Sequence, residues 1–480
     1  MPHTNTASKL GIDLSALRGL TQDSRGVEKG FLFAGLKGEA QDGRVYIPDA
    51  VKVGASVILT DKDFVSDEIG AAQLVTSDHP RKDFSHIAAE YFAQQPKHLV
   101  AVTGTNGKSS VVHFADQLWT AIGDSSTYIG TLNTALTTPD PVSLFSTLAQ
   151  MKQDGITHVA MEASSHGLAQ CRMDGADIAV AAFTNFSQDH LDYHEDMEGY
   201  FSAKARLFEE ILPLSGVAVL NADIPEYQTL IGICKKRGLR VLSYGGQGAD
   251  IILQHREISG VYQDITISVM GRSFDVRLPL VGAFQVMNVL CALGCVVAED
   301  VKDERRINKA IDALASLDGV PGRLQHIEND TKEYHAYVDY AHTPDALETV
   351  LKALRPHVKG RLICLFGCGG DRDQSKRPIM GEIASRLSDA VIITDDNPRG
   401  ENPAKIREHI VDGINDDAEG IEVVDDRQKA IRRGVQLMNK DDILLVAGKG
   451  HEQGQVIGAD IFPFDDALEL RQAFLSKKNH

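Results

Sequence analysis

Cysteine is sparse and unpatterned in this chain. Its six thiols, Cys171, Cys234, Cys291, Cys295, Cys364 and Cys368, form no Cys-x-x-Cys pair and no His/Cys group with zinc spacing. A disulfide framework is thereby excluded, and a reducing compartment suits the pattern. Long apolar runs are missing too. No stretch is long enough to span a bilayer, and the first twenty residues hold no apolar core of signal-peptide length. Positive charge is in deficit, with 49 Lys and Arg against 67 Asp and Glu and a net charge of −18. That balance argues against a nucleic-acid or anionic-membrane partner. Low-complexity tracts and fixed-period repeats are absent. No Asn-Lys-x-Asp follows a strand, which argues against a guanine-nucleotide switch, and no Gly-x-Gly-x-x-Gly opens a helix. The expectation is a cytoplasmic monomer that acts on small molecules.

What is present is organised around Gly-Thr-Asn-Gly-Lys-Ser at 104–109. A short apolar run over 99–102 precedes it with the length of a buried strand. Val111, Val112, Phe114, Leu118, Trp119 and Ile122 follow at helical spacing. A strand, a glycine turn and a helix start make an anion site, because free backbone N–H groups and the positive helix end converge. Gly104 and Gly107 let the backbone approach a phosphate, with Thr105, Asn106 and Ser110 beside them. In such a loop Lys108 can reach the outer phosphates and Ser109 can ligate Mg²⁺. The spacing is shorter than in the standard P-loop, which has a glycine where Val102 stands.

At 480 residues and 43% hydrophobic content, the chain suggests about three globular domains. Residues 1 to about 97 alternate strands (31–34, 55–60) with helices (46–53, 85–92), and Asp23-Ser24-Arg25 makes a polar turn before the first strand. From 98 to 323, apolar runs over 99–102, 157–161, 178–183 and 217–220 each stop at a polar cluster. Fully apolar strands alternating with helices indicate a parallel α/β sheet. Ligands then lie along the carboxyl ends of the strands, so the clusters share a rim. Glu162 ends one such run beside the phosphate loop, the usual place of a Mg²⁺ contact. Residues 250 to 280 alternate like antiparallel strands. From 324 to 480 a second doubly wound sheet is expected, its runs ending at Asp339, at 367–373, at 395–399 and at 448–452.

Taken together, these stretches resemble the Mur ligase family. The resemblance rests on the phosphate loop, Met-Glu-Ala-Ser-Ser-His-Gly at 161–167, Asp-His-Leu-Asp-Tyr-His at 189–194 and Asp-Tyr-Ala-His-Thr-Pro-Asp at 339–345. It continues through Phe-Gly-Cys-Gly-Gly-Asp-Arg-Asp at 366–373, Asp-Asn-Pro-Arg at 396–399 and Gly-Lys-Gly-His-Glu at 448–452. The resemblance implies an N-terminal α/β UDP-binding domain (1–97), a central P-loop-type ATPase sheet (98–323) and a C-terminal Rossmann-like doubly wound sheet carrying the amino acid (324–480). It implies ATP- and Mg²⁺-dependent amide formation in peptidoglycan synthesis, with UDP-N-acetylmuramoyl-L-alanyl-D-glutamate as acceptor.

By position, the resemblance makes Glu162 and His190 metal contacts, and Lys204 the lysine that the family carbamylates. It makes Asn288 and Arg323 ATP contacts and Asp339 the ribose contact. Ser24 would contact the uridine nucleotide, Thr137 and Thr138 the muramoyl part, and Ser164, Gln170 and Arg172 the peptidyl group. Two departures stand out: 38–43 lacks the His-Gln-Ala expected against uracil, and Leu136 replaces an asparagine before the paired threonines.

Asp396-Asn397-Pro398-Arg399 resembles the signature of members that add meso-diaminopimelate. This diacid has a second carboxylate where lysine has only a side-chain ammonium. A guanidinium grips a carboxylate through two parallel hydrogen bonds and repels an ammonium. Arg372 and Arg399 would hold carboxylates, with Asn397, Gly448 and Glu452 around the distal centre. A lysine-adding relative and a folylpolyglutamate synthase-like ligase are the alternatives.

Overall fold

The computed structural model describes residues 5–38, 41–65, 69–189, 191–329, 334–415 and 417–478. Two compact units make up the chain: Met1–Ile252 with Leu290–Ala310, and Leu253–Val289 with Ile311–His480.

In the first unit, a four-stranded parallel sheet runs in the order Gly19–Thr21, Phe31–Ala34, Val57–Asp61, Gln73–Ser77. The strand Gly19–Thr21 precedes the Ser24 turn, so that turn follows the first strand instead of preceding it. Neither outer strand is legible in sequence. One has only three residues, and Gln73–Ser77 is half exposed and polar. The helix Pro80–Phe92 begins with proline in its first turn, where a missing N–H costs nothing. Its Phe84, Ile87 and Ala88 are fully buried. They join one apolar cluster with Leu32 and Leu59 of this sheet and with Leu99 and Ala101 of the next. Burying a phenylalanine of this kind stabilises by about 1.5–3 kcal/mol.

The central strands of the unit are all parallel. Their order is Arg240–Gly245, Val217–Asn221, Ile178–Phe183, His98–Thr103, His158–Glu162, Ser126–Ile129. Four are the expected apolar runs. Ser126–Ile129 is too polar to announce itself. Parallel pairing sets Val102 beside Glu162, Thr103 beside Phe183 and Phe183 beside Leu220. The polar clusters after these strands therefore share one edge, as expected. Helix Lys108–Ile122 packs Val111, Val112, Phe114, Leu118 and Trp119 inward and ends at Gly123, which adopts the left-handed conformation.

In the second unit, Tyr262–Val269 and Arg272–Leu278 pair antiparallel. The strand before them, Ile251–Ser259, departs from the antiparallel expectation at its start. There Ile251 and Ile252 pair parallel with Tyr244 and Gly245. A six-stranded sheet follows, in the order Gln325–Ile327, His335–Asp339, Ile443–Ala447, Leu362–Phe366, Ala390–Ile393, Ile421–Val423, parallel except for its first pair. Alternate residues of one strand feed two cores. Leu362, Cys364 and Phe366 pack on one face, and Ile363 and Leu365 on the other. That is the doubly covered sheet the apolar runs implied.

A fully buried ion pair joins two helices of this unit. Arg427 donates to Asp466 at 2.7 and 2.8 Å and to the Ala447 carbonyl at 3.0 Å. Asp466→Ala leaves a guanidinium buried without its counter-charge. It should lower unfolding free energy by about 3–5 kcal/mol, read as a drop in the urea midpoint.

Candidate active site

The phosphate loop is held by the loop that follows Ile178–Phe183. Thr184 Oγ1 donates to the Asn106 carbonyl (2.6 Å), the Asn106 N–H donates to Asn185 Oδ1 (2.9 Å), and Thr105 Oγ1 donates to the Ser187 carbonyl (3.1 Å). Gly104 sits at φ 138°, and a Cβ there would lie 2.0 Å from Thr184 Oγ1, so the approach demands glycine. Gly107 turns the chain into helix Lys108–Ile122, and Ser109 and Ser110 are buried in its first turn. Lys108 Nζ donates to the carbonyls of Gly104 (3.0 Å) and Thr105 (2.8 Å). It therefore folds over its own loop, the cradle that the glycines leave open.

Lys204 belongs to the same constellation. Sequence periodicity makes it an ordinary helical lysine, yet it is 1% exposed on helix Met197–Arg206. Its Nζ donates to the Gly104 carbonyl at 2.8 Å and lies 4.4 Å from the Tyr200 ring centre. Burial, with repulsion from Lys108 second, pulls the Lys204 amine down to about 6. At neutral pH it is an uncharged nucleophile. A single π-helical turn, Leu207–Ile211, follows immediately, a distortion that recurs at functional sites.

Glu162 is 2% exposed at the end of its strand. One oxygen accepts the Thr131 N–H at 2.9 Å, and among the described residues the other meets only the Thr131 hydroxyl, at 3.5 Å. Next to it the peptidyl and muramoyl candidates gather. Thr138 Oγ1 donates to the Glu162 carbonyl (2.8 Å) and lies 3.1 Å from Ser164 Oγ. Arg172 donates to the Thr138 carbonyl (2.7 Å) and to Gln170 Oε1 (2.8 Å), and Thr137 Oγ1 lies 3.0 Å from Thr131 Oγ1. Five residues expected from separate stretches thus form one hydrogen-bonded group. His190 lies outside the described residues, as do Glu39 and Ala40 of the departure noted above. Ser24 caps nothing itself. It opens a short turn capped by Asp23, which Arg25 pairs.

A cavity of about 550 Å³ in this unit escaped sequence reading. Lys37, His79, Arg81, Lys82 and Arg206 line it, together with Asp61, Asp78 and Glu210. Lys37 and Arg206 lie far along the chain from the His79, Arg81 and Lys82 group, so no local pattern marks the whole set. At the opposite ends of the strands, the His98 and His158 rings stack 4.5 Å apart. His158 Nε2 lies 2.8 Å from Glu299. Arg306 already pairs Glu299 and Asp124, and parallel imidazole planes do not converge on one ion. That cluster reads as a buried charge network holding the sheet's far end.

The second unit brings together Asn288, Arg323 and Asp339. Asn288 donates to Gln285 (3.0 Å), whose amide donates to the Arg323 carbonyl (3.4 Å). Asp339 accepts the N–H groups of Leu324 (2.7 Å) and Ala341 (2.8 Å), and burial pushes its carboxyl up to about 6 against the pull of Arg323. The Arg323 guanidinium stacks 4.9 Å from the Tyr340 ring centre.

The loops after Leu362–Phe366, Ala390–Ile393 and Ile443–Ala447 meet at one edge of the same unit. Arg399 donates to the Gly370 carbonyl (2.9 Å), and a Cβ on Gly369 would sit 2.8 Å from Arg399 Nη1 and 3.8 Å from Arg372 Cγ. The Arg399 guanidinium and the stem of Arg372 therefore flank one glycine. The Arg399 backbone is locked at φ 50° by the hairpin Gly454–Ile457/Asp460–Pro463, through Val456 and Gly458. Asn397 Nδ2 donates to Glu452 Oε2 at 2.9 Å. Gly448, at φ 116°, lets the chain pass Asp396, whose Oδ2 would stand 2.5 Å from a Cβ there. Pro398 is buried between these groups. Lys449, which sequence reading passed over, lies at the centre and is fully buried.

Known proteins carry the same arrangement of stretches. Profiles described as Mur ligase middle domain, Mur ligase glutamate ligase domain, and Mur ligase family catalytic domain match residues 102–296, 322–450 and 16–93. The UDP-N-acetylmuramoyl-L-alanyl-D-glutamate–2,6-diaminopimelate ligase of Caulobacter vibrioides is 44% identical over 472 residues, 95% of each chain. A solved structure of a ligase of that name is 34% identical and superposes with a TM-score of 0.72, covering 97% of this chain and 96% of the other. The MurF ligase of Thermotoga maritima, solved with ADP, shares the fold at 20% identity and a TM-score of 0.61, over 97% and 99% of the two chains. Phosphate loop, buried lysine and guanidinium-lined edge thus occur in a chain that aligns almost end to end with such ligases, and the protein belongs to the Mur ligase family.

Proposed function

We propose that this chain joins meso-2,6-diaminopimelate to UDP-N-acetylmuramoyl-L-alanyl-D-glutamate at the expense of ATP, a step of peptidoglycan synthesis. The observation that carries the reading is the edge of the second unit where Arg399 and Arg372 lie with Asn397 and Glu452. Two cationic forks and one carboxylate suit a ligand with two carboxylates and a distal ammonium. The names of the relatives point the same way.

The chemistry follows from charge. A carboxylate is a poor acyl donor, because oxide does not leave. Transfer of the γ-phosphoryl group gives an acyl phosphate, whose phosphate leaves readily when an uncharged amine attacks the acyl carbon. The first step brings anion against anion, and Lys108 with the backbone N–H groups of the loop offsets that repulsion. Ser109, Glu162 and a carbamylated Lys204 would hold Mg²⁺, with His190 in the same role. The fit is local: among the described residues Glu162 keeps an oxygen with only one long contact, and Lys204 is uncharged and faces the loop. When bound, Mg²⁺ neutralises phosphate charge.

Thr137, Thr138, Ser164, Gln170 and Arg172 would orient the acceptor's acyl end, Ser24 and the basic cavity its nucleotide end. Asn288, Arg323 and Asp339 would contact the ATP nucleoside. Within this reading, 1–97 serves the uridine nucleotide, 98–323 ATP and 324–480 the amino acid.

An amino-acid panel tests the reading. With ATP, Mg²⁺ and the acceptor, phosphate release should require meso-diaminopimelate. L-lysine or L-glutamate should give under about one hundredth of that rate. Equal turnover with L-lysine would overturn the specificity. Release driven by L-glutamate on a folate acceptor would assign the chain to the folylpolyglutamate branch. Nucleotide binding with no acceptor-dependent release would leave only a switch.

A further inference from the structure

Lys449 is completely buried, yet its ammonium faces the amino-acid edge of the second unit. Nζ donates to Asn397 Oδ1 at 2.9 Å and to Glu452 Oε2 at 3.1 Å. The Val456 N–H also donates to Asn397 Oδ1, at 2.9 Å. Two donors on that oxygen leave the Asn397 amide only one orientation. Its NH₂ must face Glu452, and it donates to Oε2 at 2.9 Å. Glu452 Oε2 therefore takes two donors, while among the described residues no hydrogen bond reaches Oε1, on a side chain that remains 34% exposed. Burying an ammonium is costly unless it is paired and hydrogen-bonded, and here one carboxylate and one amide do both, which ties the three side chains into one geometry.

We propose that Lys449 is a positioning residue for amino-acid selection: it orients Asn397 and Glu452 so that Glu452 Oε1 receives the distal ammonium of a diamino diacid. The inference rests on the ligase reading above. Lys449 does not touch the substrate. It fixes one side of the distal centre while Arg399 fixes the other. A diamino diacid satisfies both sides, whereas a simple diamine leaves the guanidinium unpaired.

The test uses the full-length enzyme and Lys449→Met, which keeps the volume and removes the charge. The KM for meso-diaminopimelate should rise about tenfold or more. The KM for ATP and kcat at saturating diaminopimelate should stay within about twofold, with a thermal midpoint near that of wild type. In a double-mutant cycle, Glu452→Gln should cost much less in the Lys449→Met background than alone, because the lysine acts through that carboxylate. Lys449→Gln, which still donates to Asn397, should recover part of the loss. An unchanged KM for meso-diaminopimelate, additive effects in the cycle, or a parallel fall in every kinetic constant and in the thermal midpoint overturns the proposal. So does failure of both Lys449 variants to fold, which would make the residue structural. If wild type itself does not respond to meso-diaminopimelate, the ligase reading fails instead, and the wild-type panel shows that before any variant is made.

Discussion

Arg399→Ala should lower kcat/KM for meso-diaminopimelate by about a hundredfold or more while leaving the KM for ATP within about twofold. The backbone of Arg399 is tied by Val456 and Gly458 of the neighbouring hairpin, and none of those bonds involves its side chain. Truncation therefore removes a guanidinium without loosening the loop. Among the described residues, the only internal bond lost is the 2.9 Å contact with the Gly370 carbonyl. A carboxylate that met a two-pronged donor would then meet water or Arg372 alone. Arg399→Lys should rescue poorly, because an ammonium is a point charge without the planar fork. The preference for meso-diaminopimelate over L-lysine should narrow, since the repulsion of a lysine ammonium disappears with the same substitution. Steady-state kinetics with both amino acids check this. Equal loss in the ATP and amino-acid terms would make Arg399 structural.

The second large effect concerns Lys204. Its amine is uncharged at neutral pH because burial and Lys108 pull it down to about 6. An uncharged amine can add to carbon dioxide and, releasing one proton to solvent, become a carbamate, which puts an anion where a neutral amine stood beside the phosphate loop. Intact-mass analysis in bicarbonate should show one added carbon dioxide, absent from Lys204→Met. Activity of that variant should fall by at least about a hundredfold, the scale on which losing one charge-stabilising group slows catalysis. Unaltered activity would remove Lys204 from the mechanism.

The same shift sets a pH dependence of stability. The folded pKa lies below the unfolded value of 10.5, so between about 6 and 10.5 the unfolded chain binds one more proton at this site. Unfolding free energy should therefore rise with pH across that window, by about 1.4 kcal/mol per pH unit from this group, and be flat below it. In bicarbonate-free buffer, urea titrations at pH 7 and pH 9 should show that component in wild type. Lys204→Met should lose it and be the more stable of the two at pH 7.

How far these sites were legible depends on how local their causes are. The phosphate loop is contiguous: a strand, two glycines, a lysine and a helix start lie within a few residues, and local backbone chemistry makes the site. The apolar runs that end at Glu162, Asp339 and Asp396 were equally readable, because a strand covered on both faces must be apolar throughout. The outer strands Gly19–Thr21 and Ser126–Ile129 were missed, since pairing on an edge needs no apolar run. Lys204 and Lys449 show the other limit. Lys204 sits in an ordinary helical context and Lys449 in a motif whose spacing does not show its burial, and each has a partner far along the chain. The carbonyl that receives Lys204 is 100 residues away, and the amide that receives Lys449 is 52.

Composition and pattern alone determined that this is a multidomain α/β protein with an anion-binding loop, and the order of its motifs pointed to a ligase of the Mur type. Those features arise from period, spacing and backbone geometry, which act between near neighbours. Only the tertiary structure decided which charges leave water. It put Lys204 against the loop carbonyl, locked Asn397 in one orientation through Lys449, and brought Lys37 and Arg206 beside the cations of 79–82 in one cavity. The energy of a charge depends on everything that surrounds it in space, and a linear sequence does not show those surroundings.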